Sequence, residues 1–276
     1  MNHPLLRLYD GFDHTSPELR DEVKALQTEL NQEGFGLEAD GLFGRDTESA
    51  VKRFQREHDL DDDGVVGPLT WAALLGTTPP DLSTVFLTTY PQNHAALLAQ
   101  FAPANTTYKA LIDDAAEQFG FQPSVIGGIG SRESQWGLAL RPGGAGPAGT
   151  GDFTPRRFPT RFRTGPLPPE GGFGRGLMQI DFDAFEFART GNWKDPAANI
   201  RFGCQVLAQS QDFLQRKTNL QGRALLRAAI AGYNAGPGNA LRALRDGHDV
   251  DFFTSGRDYS KDVLNRAGFF QLNGWT

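Results

Sequence analysis

Cysteine is almost absent: Cys204 is the single one in 276 residues. That excludes an intramolecular disulfide framework and any multi-cysteine metal cluster. Its setting, Ile200-Arg201-Phe202-Gly203-Cys204-Gln205-Val206-Leu207, suits a small buried hydrophobe better than a nucleophile. The five histidines, His3, His14, His58, His94 and His248, are scattered without H-x-x-x-H or Cys-partner spacing, so no metal site is expected. There is no nucleophile elbow and no phosphate loop, and no cofactor is expected. Positive charge is short as well: a formal net charge of -6 argues against a nucleic-acid binder, which needs a basic footprint. Long hydrophobic runs are missing. Residues 1–10 hold no signal-peptide core and nothing later approaches a membrane span, so the expectation is a soluble chain made in a cytoplasm, with no membrane insertion.

What remains is an ordinary globular composition, 39% apolar and 22% charged, on a chain long enough for two domains. The segment 16–76 carries an internal repeat. Asp40-Gly41-Leu42-Phe43-Gly44-Arg45-Asp46-Thr47 is echoed by Asp63-Gly64-Val65-Val66-Gly67-Pro68-Leu69-Thr70, both fitting D-G-x-x-G-x-x-T and both followed by an apolar helical pattern. The Asp-Gly pair favours a tight turn, and the second Gly relaxes the backbone before a helix start. Leu19, Val23, Leu26 and Leu30 form one helical face ahead of the repeats, and Ala50, Val51 and Phe54 form another between them. Pro68 suits a first helical position and Gly76 a stop. Three short packed helices are predicted.

Val23-Lys24-Ala25-Leu26-Gln27, the two D-G-x-x-G-x-x-T strings, Ala50-Val51-Lys52-Arg53-Phe54-Gln55 and Trp71 together resemble the type 1 peptidoglycan-binding domain found on autolysins, amidases and phage lysins. The resemblance implies bacterial peptidoglycan as the partner. Residues 77–107 mix Pro, Thr and Asn with short apolar pieces and read as a linker that packs partly on a neighbour. From 108 to 276 the pattern is mainly helical, with amphipathic stretches at 108–119, 123–136, 199–213, 224–233 and 259–267. The stretch 141–172 shifts to Gly and Pro with interspersed arginines; it is either a solvated insertion or a loop over a groove.

In the helix beginning near Pro123, Val125, Ile126 and Ile129 define a buried stripe, and Glu133 follows four residues after Ile129. A carboxyl group on that face is costly to ionise, so its pKa is expected to rise and a proton to stay available for a leaving oxygen. Periodicity alone equally allows a core ion pair with Arg132.

Ser131-Arg132-Glu133-Ser134, Gly176-Leu177-Met178-Gln179-Ile180-Asp181, the string from Ala231-Gly232-Tyr233-Asn234 to Asn239, and Asp258-Tyr259-Ser260-Lys261-Asp262-Val263 to Ala267 occur in the order seen in goose-type lysozymes and their lytic transglycosylase relatives, which residues 108–270 resemble. The resemblance implies a lysozyme-like α-helical domain with a short β-hairpin, and Glu133 as general acid. It also implies Asp181 as holder of the attacking water, and a second Asp ahead of the G-L-M-Q string. Asp152 is the nearest candidate for that Asp, with Asp183 as the alternative. By the same resemblance Gln179, Tyr233 and Asn234 face the glycan. Tyr259 and Trp136 are further candidates, although an aromatic beside a helix also suits a core.

The implied activity is that of a muramidase, cleaving the β-1,4 bond between N-acetylmuramic acid and N-acetylglucosamine by inversion. A lytic transglycosylase forming anhydro ends is the alternative, and a non-catalytic wall-binding protein the third reading. A monomer is expected, of the kind a modular phage endolysin would be, held in a host cytoplasm and released to the wall at lysis.

Overall fold

The computed structural model describes residues 3–58, 60, 62–77, 85–141 and 174–275. The chain divides into two compact units: Met1–His94 together with Gln271–Trp275, and Ala95–Phe270. Among the described residues, no helix is long and apolar enough to cross a membrane.

The first unit contains α1 (Arg20–Gln32), α2 (Arg45–Glu57) and α3 (Pro68–Leu74). Their inward faces meet in one core that includes Val23, Leu26, Leu30, Phe43, Val51, Phe54 and Trp71. Each repeat begins with the expected turn: Asp40 Oδ1 accepts the Leu42 amide at 2.9 Å and Asp63 Oδ1 accepts the Val65 amide at 2.8 Å. Gly41 and Gly64 both sit at φ +75°, where a side chain would be strained.

Each turn is locked by a buried glutamine from the preceding helix. Gln27 receives the Gly41 amide at 2.8 Å and donates to Asp40, to the Leu42 carbonyl and to Thr47. Gln55 receives the Gly64 amide at 2.9 Å and donates to Asp63, to the Val65 carbonyl and to Thr70. The Thr that ends each string is therefore a hydrogen-bond partner of that glutamine.

The unit reaches beyond 16–76 at both ends. Leu6, fully buried, exchanges backbone hydrogen bonds with Val66 at 3.1 and 2.8 Å. The Trp71 indole donates to the Pro4 carbonyl at 3.4 Å. Gln271 accepts the Phe86 amide at 2.7 Å, and Gln92 donates to the Leu272 carbonyl at 3.1 Å.

The second unit begins within the stretch read as linker, with α4 (Ala95–Pro103) and a π-turn at Ala104–Tyr108. It continues through α5 (Lys109–Phe119), α6 (Pro123–Ser134), β1 (Gly174–Arg175), β2 (Ile180–Asp181), α7 (Phe187–Thr190), α8 (Pro196–Lys217), α9 (Gly222–Ala235), α10 (Pro237–Arg245) and α11 (Tyr259–Leu272), whose last two residues belong to the first unit. α8 is the longest, packed by α5, α9 and α10. Its start is fixed by Pro196 at the first position and by Asp195, which accepts the Ala198 amide at 2.8 Å.

α6 is buried along Ser124–Ser131. Its small residues permit this: a Cβ on Gly128 would lie 2.4 Å from the Val263 carbonyl oxygen of α11, and one on Gly130 would lie 2.4 Å from the Trp136 ring. β1 and β2 form the expected hairpin, antiparallel, with Gly174 opposite Asp181 and Arg175 opposite Ile180.

Candidate functional site

Glu133 is the penultimate residue of α6 and is partly buried. The chain leaves the helix through two left-handed residues, Gln135 at φ +54° and Trp136 at φ +52°. Non-glycine residues hold such angles only when their surroundings enforce them. Here Trp136 supplies the enforcement: it is 1% exposed, its indole donates to the Gly127 carbonyl at 2.9 Å and its ring lies on Gly130. Trp136 thus packs as an anchor of the α6 C-terminus. One edge of it borders a second recess, of about 700 Å³, with Tyr108 and Trp193.

Arg132, the other partner considered for Glu133, turns to α11 and pairs with Asp262 at 2.8 Å and Asp258 at 3.1 Å. Glu133 Oε1 instead accepts a short hydrogen bond from the Tyr259 hydroxyl. Tyr259 is buried at the start of α11, directly behind the carboxyl group. Burial first, and then the nearby Glu133 charge, hold the Tyr259 and Tyr233 hydroxyls well above the ordinary tyrosine pKa, so both remain donors.

The hairpin carries the other half of the site. Asn199 of α8 clamps its turn, accepting the Met178 amide at 2.8 Å and donating to the carbonyls of Arg175 and Trp193 at 3.0 and 3.1 Å. From α9, the Tyr233 hydroxyl donates to the Met178 carbonyl at 2.6 Å. Gln179, at φ +47° and buried, donates to the Gly176 carbonyl at 2.7 Å. Asp181 Oδ1 accepts the amides of Asp183 and Ala184 at 2.8 and 2.9 Å, which fixes the direction of its carboxylate. Asn234 is exposed and accepts the Ser255 amide at 2.9 Å.

Glu133, Gln179, Asp181, Tyr233 and Asn234 all line one recess of about 370 Å³. Five of the residues named from the sequence thus meet, brought by α6, the hairpin and α9. Tyr259 stands behind the acid, Trp136 in the core, and Asp183 is exposed beside the neighbouring groove. Asp152 and almost all of the stretch 141–172 lie outside the described residues.

Two residues that organise the site carried no sequence signal. Asn199 lies on the apolar face of α8, and only its position under the hairpin reveals its role. Asp251, fully buried, accepts the Ser260 amide at 2.8 Å and the Ser260 hydroxyl at 2.7 Å, holding the first turn of α11 and with it Tyr259. Among the described residues no group of three His, Cys, Asp or Glu side chains is placed to hold a metal.

Two family models match the chain: a peptidoglycan binding domain over residues 20–74 and lysozyme g over residues 169–274. The lysozyme g of the ostrich Struthio camelus is 31% identical over 169 residues, covering 61% of this chain and 68% of that protein. The chain belongs to the lysozyme g family. Lysozyme g of Gallus gallus is 34% identical over 169 residues, 61% of this chain and 65% of that protein. A crystal structure of Burkholderia AP3 phage endolysin aligns over 98% of both chains at 17% identity, with a TM-score of 0.29 that is too low to bear on the fold. The family match makes this lysozyme g relative a glycoside hydrolase, and the domain ahead of it makes peptidoglycan the polymer it degrades.

Proposed function

We propose that the recess cleaves the β-1,4 bond between N-acetylmuramic acid and N-acetylglucosamine by inversion, with Glu133 as the general acid and Asp181 holding the attacking water. The observation that carries this reading is the meeting of two carboxyl groups from different elements in one recess with Gln179, Tyr233 and Asn234. Inversion needs a protonated carboxyl group beside the leaving oxygen and a second carboxylate far enough away to admit a water. Glu133, on a buried helix end, and Asp181, fixed by two amides at a turn, are held by separate supports, so each can be tuned to one of these tasks. The flat ring of Tyr233 and the amides of Gln179 and Asn234 are suited to sugar faces and N-acetyl groups.

Glu133→Gln is expected to lower turnover on sacculi by about 10²- to 10⁴-fold, the usual contribution of a general acid, with the fold retained by circular dichroism. Clearing equal to wild type would remove Glu133 from the mechanism. Mass spectrometry of the products reads the other half: hydrated reducing ends fit hydrolysis, whereas anhydro ends would assign the chemistry to a transglycosylase. For the further Asp that the family resemblance implies besides Asp181, Asp152→Asn is expected to cost more activity than Asp183→Asn, and the reverse order would assign that place to Asp183.

A further inference from the structure

Beyond the acid recess lies a larger groove of about 1380 Å³. The two share Asp181, Phe185, Val206, Tyr233 and Asn234, so they are contiguous. Along its floor run Val206, Gln209, Phe213 and Arg216, spaced to stand on one face of α8. At 1.5 Å of rise per residue, Arg216 lies about 15 Å along the helix from Val206.

The groove is polarised. Asp181 and Asp183 line its near end, and among the described residues lining it Arg216 is the one cation. Arg216 is exposed and has no ion-pair partner among the described residues. An N-acetylglucosamine ring is neutral and offers this guanidinium no counter-charge. The branch that peptidoglycan carries on each muramic acid does, because it is a short peptide with carboxylates.

Geometry fits the same branch. The muramic acid whose bond is cut sits beside Glu133, and its lactyl ether starts the peptide there. An extended chain covers about 3.3–3.6 Å per residue, so about four or five residues span the stretch from Val206, which lines both cavities, to Arg216, and that is the length of such a stem. The intervening wall, with Phe185, Val206 and Phe213, is apolar enough to hold the side chains of small residues.

We propose that this groove receives the stem peptide of peptidoglycan and that Arg216 binds its distal carboxylate, which makes Arg216 a specificity-determining residue of the enzyme. The proposal rests on the recess being the cleavage site.

The test compares soluble glycan strands that carry their stems with the same strands stripped of peptide by an amidase. Arg216→Ala should raise KM on stem-bearing strands about three- to fivefold, the worth of an exposed charge pair, with kcat unchanged. It should leave the stripped strands unaffected, and Arg216→Lys should keep most of the wild-type KM. Equal loss on both substrates, or no loss on the stem-bearing one, would overturn the proposal. A readout independent of cleavage is titration of wild-type enzyme with free stem pentapeptide, followed by NMR. Shifts at Gln209, Phe213 and Arg216 are expected, and their absence counts against the groove whatever Glu133 does. Conversely, a fully active Glu133→Gln would sink the cleavage reading without touching this titration.

Discussion

Glu133 depends on the residues packed around its helix end. Trp136 pins the helix end by one indole hydrogen bond and by close packing on Gly130. Trp136→Ala should therefore cost about 3–5 kcal/mol of stability, read by urea denaturation, whereas Glu133→Gln at the partly exposed tip should cost much less. Cys204 is fully buried and its thiol is pushed up to about 12 by desolvation. It should be inert to Ellman's reagent at pH 8 in the folded protein and react at once in denaturant; prompt native reaction would show that α8 is loosely packed.

Asp249 tests the sign of a shift in the other direction. A hydrogen bond from Arg227 first, and then those from the Asp251 amide and Lys261, outweigh partial burial and hold its carboxyl well below the ordinary 3.8. Its contribution to stability is complete above that value and drains away as pH falls toward the folded pKa. The gap in stability between wild type and Asp249→Asn should accordingly shrink from pH 5 to pH 2, and a constant gap would mean that the charge is not the source.

At this scale the sequence reads unevenly. The buried stripe of Val125, Ile126 and Ile129 puts Glu133 on the core face of α6, where the structure leaves it partly buried. The partners of Arg132 were illegible because Asp262 lies on α11 and Asp258 just before it, 130 and 126 residues away.

Among the elements, the two turn-then-helix repeats were visible as strings, yet the force that makes them equivalent was not. Gln27 and Gln55 sit on apolar helix faces, where a polar residue looks misplaced until the turn it locks is in view. Removing such a buried amide orphans a glycine N–H, so Gln27→Leu and Gln55→Leu should each destabilise the first unit by about 1–3 kcal/mol. Chemical denaturation followed by Trp71 fluorescence would check this, and a neutral result at either site would show that the two networks are not alike in energy.

The second unit has a corresponding pressure point where α6 crosses α11. Gly128→Ala would force α11 away at the Val263 carbonyl and should cost about 1–3 kcal/mol, with loss of activity because Tyr259 rides on the same helix. The hairpin escaped pattern reading for a simpler reason. Strands of two residues are too short to alternate, and only the family resemblance anticipated them.

Across the whole molecule, a wall-binding unit and a hydrolase on one chain raise the enzyme's local concentration on an insoluble polymer without adding a catalytic contact. Salt or substitutions that impair the first unit should therefore reduce clearing of sacculi far more than cleavage of soluble oligosaccharides.

The division of the chain also orders its biogenesis. The bond between the Phe86 amide and Gln271 joins residues 185 apart in sequence, and at ribosomal rates of about 5–20 residues per second roughly ten seconds or more pass between their syntheses. That contact of the first unit therefore closes late, after the second unit has been translated, whereas the residues of its core, Leu6 to Leu74, have all been made long before.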